Sequence, residues 1–166
     1  MAISMYQASA PQLKKMLVNL TTILTMAEEY AAAKGVDGKV LVEARLFPDM
    51  FPLARQVQIA CDQVKFGLAR LAGVEAPKFE DTESTLPQLK ERIAKTIAFM
   101  DSIKPEQIDG TEAKVIQFSI KGRNFEFVGE QYVLTWIIPN FYFHITTTYN
   151  ILRHNGIELG KADYLG

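Results

Sequence analysis

Cysteine, tryptophan and histidine are the scarce residues of this chain: one cysteine, Cys61, one tryptophan, Trp136, and two histidines, His144 and His154, stand among 166 residues. A lone cysteine excludes an internal disulfide and suits a reducing compartment. Neither sign of charge is in excess, with 18 basic against 19 acidic residues. The basic footprint expected of a nucleic-acid or anionic-membrane binder is therefore missing. No apolar run approaches the roughly 20 residues that a bilayer span requires, and no basic stretch followed by an apolar one opens the chain. The expectation is a cytoplasmic protein without a nucleic-acid or membrane partner. Repeats, low-complexity tracts and long linkers are also absent, so residues 1–166 read as a single domain.

What is present is amphipathic periodicity. Leu13, Met16, Leu17, Leu20, Ile23, Leu24, Ala27 and Ala31 recur at intervals of three and four, which defines one face of a long helix. Ser4 and Gln7 have capping-box spacing and predict a start near residue 5; because Pro11 would bend such a helix, a start after Ser9 is the rival reading. Gly35 predicts its end. A second helix carries Leu53, Val57, Ala60, Cys61, Val64, Leu68 and Leu71 inward and stops at Gly73. Asp49 is its expected cap. Gln56, Gln63 and Arg70 fall on its flank, and Arg55, Asp62 and Lys65 are expected to face outward or towards an interface. After an acidic connector, Thr85 and Gln88 open a third helix that ends near Ser102.

From Lys114 the period changes to two. Ile116, Phe118 and Ile120, then Phe125 and Phe127, alternate with polar residues, which predicts a hairpin with one apolar face. A type II′ turn at Gly122-Arg123 would set Ile120 opposite Phe125 and Phe118 opposite Phe127. A short helix over 129–138 should bring Trp136 inward, and Pro139 should start a fresh helix that buries Phe141, Ile145, Thr148, Tyr149 and Leu152. Asn155-Gly156-Ile157 reads as its stop. The fold class is all-α, a four-helix bundle with a small β-hairpin between helices 3 and 4.

Nucleotide-binding loops, zincin patterns and nucleophile elbows do not occur. Attention falls on the histidines. A helix-borne metal site needs donors three or four residues apart, whereas His144 and His154 are separated by about 15 Å of helical rise. His154 in the last turn suits the helix dipole. His144, beside Phe141 and Thr148, is either a half-buried histidine satisfied by a neighbouring hydroxyl or glutamine, or a proton-transfer group lining a pocket.

Two stretches, ARLFPDMFPLARQVQIACDQVK (44–65) and PNFYFHITTTYNILRHNGIELGKADYLG (139–166), resemble an uncharacterised bacterial branch of the DinB/YfiT-like superfamily, and the resemblance covers nearly the whole chain. It implies a bundle with up-down-down-up connections and often a homodimer. The superfamily's usual centre is a metal held by three histidines, one on helix 2 and two on helix 4 spaced by four, with thiol-dependent transferases or isomerases among its relatives. His144 matches the first helix 4 position. Thr148 stands at the second, Gln56 is assigned to the helix 2 position, and two of three ligands are thus replaced.

Three readings result. In the first, a small molecule binds in a cleft near His144 with Asp49, Gln56 and Thr148, and His144 is the general acid/base if there is catalysis. In the second, the protein is a non-catalytic homodimer. The third, a metal-dependent transferase or hydrolase, needs a divalent metal that the ligand set disfavours; no cofactor is expected.

Overall fold

The computed structural model describes residues 3–166. Four long helices supply most of the core: α1 (Ala10–Lys34), α3 (Leu53–Ala72), α4 (Leu86–Ser102) and α7 (Ile138–His154). Short helices α2 (Lys39–Glu43), α5 (Pro105–Ile108), α6 (Gly129–Gln131) and α8 (Lys161–Leu165) punctuate the connections, and strands β1 (Val115–Ile120) and β2 (Arg123–Val128) follow α5. α1 packs on α4, α4 on α3, and α3 on α7, which returns to α1. The apolar stripes read from the sequence meet in one contiguous core: Leu13, Leu17, Leu20 and Leu24 face Leu53, Val57, Leu68, Ile93, Phe141 and Leu152. No helix of the described residues is long and apolar enough to cross a membrane.

The first helix takes the later of its two expected starts. Ser4 and Gln7 do exchange backbone and side-chain hydrogen bonds, but they close a single turn, and α1 proper begins at Ala10 with Pro11 in its first turn. Proline is tolerated there because the N–H it lacks would have had no helical partner. α3 begins at Leu53 behind Pro52 in extended conformation, without a side-chain cap. Asp49 therefore does not cap it, and lies exposed in the preceding loop. The Thr85–Gln88 capping box on α4 forms as the spacing predicts.

The hairpin keeps its apolar face but not its expected register. Lys121 and Gly122, both at positive φ, make the two-residue turn, so Phe118 pairs with Phe125 and Ile116 with Phe127. Positive φ at both positions is a type I′ turn, whose twist matches that of the flanking strands. A two-residue slip leaves each side chain on its original face. Phe118, Phe125 and Phe127 stack against Trp136 and Tyr132, and Arg70 of α3 lies 4.2 Å over the Phe118 ring while donating to the Tyr132 hydroxyl at 2.7 Å.

Pro139 does not interrupt the chain's helical path. Ile137 and Ile138 both have right-handed helical dihedrals, and a π-helical turn, Tyr132–Ile137, joins α6 to α7. The wide turn directly ahead of Pro139 accommodates a residue that has no N–H and would strike a carbonyl in a regular α-helix. Asn140 supplies a local donor, its Nδ2 reaching Trp136 O at 2.7 Å. Gly67 of α3 permits the turn's close approach, since a Cβ there would lie 2.6 Å from Ile137 Cδ1. α7 ends in the expected Schellman arrangement: Ile157 N–H donates to Leu152 O, Gly156 N–H to Arg153 O, and Gly156 has φ 95°. α8 then folds back on α1, where Asn19 donates to Tyr164 O at 3.0 Å.

Candidate functional site

α3 and α7, the most extensively packed pair of helices, bring Gln56 and His144 together. His144 Nδ1 lies 2.7 Å from Gln56 Oε1, and the two residues are 8% and 1% exposed. The amide orientation follows from its other end, because Gln56 Nε2 donates to the Phe51 carbonyl at 3.1 Å. Oε1 is thus the acceptor, Nδ1 carries the proton, and Nε2 holds the free lone pair. Among the described residues Nε2 has no hydrogen-bond partner. Burial, followed by the positive charge of Arg55, lowers the His144 pKa to about 4. The imidazole is therefore neutral at physiological pH and presents an acceptor.

The other expected site residues are not brought into that contact. Thr148 is fully buried, but its hydroxyl donates back to the His144 carbonyl at 2.9 Å, the usual bond of a threonine inside a helix. Asp49 is exposed in the 44–52 loop near the exposed rings of Phe47 and Phe51. A groove of about 480 Å³ runs between that loop and α7, lined by Leu46, Met50, Pro139, Tyr142, Phe143 and Thr147. His144 and Gln56 lie outside its walls.

Of the three side chains that the resemblance assigns to a metal centre, only His144 has an unengaged ligand atom, Nε2, because Gln56 Oε1 and the Thr148 hydroxyl are both hydrogen-bonded. Among the described residues no three His, Cys, Asp or Glu side chains converge as a metal site would need. This donor set does not fit a three-histidine centre. Cys61 offers no substitute, being fully buried, with its thiol pushed up to about 12 chiefly by that burial.

Comparison with known proteins places the chain in a family. The chain matches, over residues 5–165, a family described as a domain of unknown function, DUF1993. It belongs to the DUF1993 family. A crystal structure of a DinB family member protein from Shewanella denitrificans is 45% identical and superposes with a TM-score of 0.89, over 97% of this chain and 91% of that one. The DUF1993 chain is thus DinB-like in fold as well as in sequence. No curated protein matches it.

One charged constellation escaped the sequence reading. Lys65, expected to face outward or towards an interface, is 1% exposed, and Arg92 of α4 is 2% exposed; both contact Asp62 at 3.0 Å. Arg92 also reaches Asp81 and Glu83 in the acidic connector between α3 and α4. The available signal was the register of Arg92, one residue from Ile93 on the apolar stripe of α4, opposite a connector rich in carboxylates.

Proposed function

We propose that this DUF1993 protein is a single DinB-type four-helix-bundle domain, with its hairpin between the third and fourth long helices, that binds a small molecule at the His144–Gln56 pair. The observation carrying this reading is the buried 2.7 Å bond between them, which fixes the imidazole tautomer and leaves Nε2 as a free acceptor at the α3–α7 seam. A ligand bearing a hydroxyl, amine or amide N–H towards Nε2 is complementary to it. The Phe51 carbonyl of the 44–52 loop holds the Gln56 amide in the orientation this contact needs.

Binding is favoured over acid/base catalysis. A general acid/base works best with a pKa near the working pH, and a histidine lowered to about 4 is at neutrality neither an imidazolium acid nor a strong base. His144 acts as an orienting acceptor. The lone buried cysteine supports a place in the reducing cytoplasm. Native mass spectrometry tests the reading: a compound retained by the wild type is lost from His144→Ala while circular dichroism stays unchanged. Equal retention by both proteins overturns it.

A second reading, a homodimer, draws on the hairpin. Val115, Ile120 and Val128 are exposed there, and each strand has one edge without a partner strand.

A further inference from the structure

The connector between α3 and α4, residues 74–84, contributes no fully buried residue. Apolar burial therefore does little to hold it. Charge holds it instead. Arg92 donates from Nη1 to Glu83 at 3.0 Å and to the Glu80 carbonyl at 3.2 Å, and Nη2 meets Asp81 at 3.0 Å. Glu83 also accepts from Gln58 at 2.9 Å, Asp81 pairs with Arg55, and the Phe79 ring lies 4.2 Å from Lys65 Nζ.

Without this strap, the α3–α4 face would present Arg55, Lys65 and Arg92 against one carboxylate, Asp62. Two positive charges are left over, and Asp81 and Glu83 neutralise that number. Buried cations such as Lys65 and Arg92 require such partners, because an unpaired buried charge is strongly destabilising. One donor still lacks a partner: Arg92 Nε is buried and makes no hydrogen bond. Arg92 also lines a cavity of about 290 Å³ whose other charged walls are Lys78, Lys95, Glu80, Glu83 and Glu91; Glu80 and Glu83 belong to the strap, and Glu91 pairs with Lys95 at 2.7 Å.

We propose that Arg92, Lys65 and Arg55 form an oxyanion cradle on which Asp81 and Glu83 sit as an intramolecular lid, displaceable by a small external oxyanion such as phosphate. The cradle is separate from the His144 position and does not depend on its reading. A tethered carboxylate has an effective concentration in the millimolar range, so the closed lid masks the cradle from dilute anions. Neutralising the lid unmasks it.

Full-length wild type and Asp81→Asn/Glu83→Gln are compared by trypsin cleavage after the exposed Lys78, followed by mass spectrometry, and by thermal unfolding. Inorganic phosphate at about 1–10 mM, the range of a tethered competitor, is set against sodium chloride of equal ionic strength. The double variant is expected to be cut at Lys78 roughly tenfold faster, as local opening requires. Phosphate, and not chloride, should slow that cut and raise the variant's Tm more than the wild type's. Equal effects of the two salts on the variant, or unchanged cleavage at Lys78, overturn the proposal. If the double variant does not fold, Asp81→Asn leaves Glu83 and Asp62 on Arg92 and is judged by the same two criteria.

Discussion

His144 takes the first of its two sequence readings, a histidine satisfied by a glutamine on a neighbouring helix, rather than a proton-transfer group near neutrality. Packed against Gln56 it is a neutral acceptor with its pKa lowered to about 4. The unfolded chain takes up a proton near pH 6.5 that the native state refuses until about pH 4, so between those values the unfolded state binds more protons. Stability from His144 is therefore fully present above pH 6.5 and lost as pH falls towards 4, by up to ~3 kcal/mol. NMR titration of the imidazole together with urea unfolding at pH 7 and pH 4.5 measures both quantities; a midpoint near 6.5 would refute the burial argument. Gln56→Glu should move the midpoint up, since a carboxylate favours the imidazolium. The same variant should lose stability, because Phe51 O forfeits its donor.

At the scale of elements, two glycines set how closely the chain can pass itself, and they differ in what surrounds them. A Cβ on Gly129 would lie 1.9 Å from the backbone oxygen of Thr111, which cannot move without disturbing the Glu130–Glu112 hydrogen bond. A Cβ on Gly67 would meet the far end of Ile137, a side chain able to change rotamer. Thermal unfolding should show Gly129→Ala losing several kcal/mol, or not folding, and Gly67→Ala losing about 1–3 kcal/mol, as overpacking does. The π-helical turn that Gly67 accommodates was not legible beforehand. Pro139 signals a helix start by local rules, and only packing of the Trp136 turn against α3 and the hairpin selects a continuous helix.

For the whole molecule the homodimer reading makes a prediction about mass. It draws on a hairpin with unpartnered strand edges and three exposed β-branched residues, and on exposed Phe143 of α7. Sedimentation equilibrium at micromolar concentration should give twice the 18.7 kDa chain mass, and Ile120→Lys with Val128→Lys should return it to one. A monomeric wild type removes the homodimer reading.

The helical segments, their apolar stripes, the Thr85 cap, the Schellman stop at Gly156 and the apolar side of the hairpin were determined by the sequence itself. Each depends on residues within a few positions of one another, where spacing and dihedral preference decide. The Gln56–His144 contact spans 88 residues; resemblance sets both residues at one site, and only the packing of α3 on α7 joins them by a hydrogen bond. Hairpin register, the passage through Pro139, the direction of the Thr148 hydroxyl and the exposure of Asp49 were settled by packing. The clearest case is Arg92 and Lys65: periodicity assigned these charges no interior role, and only a connector bringing Asp81 and Glu83 across the α3–α4 seam makes their burial tolerable. Local chemistry chose the elements. The counter-charges and close approaches that set the sites come from residues far apart in the chain, which no local pattern encodes.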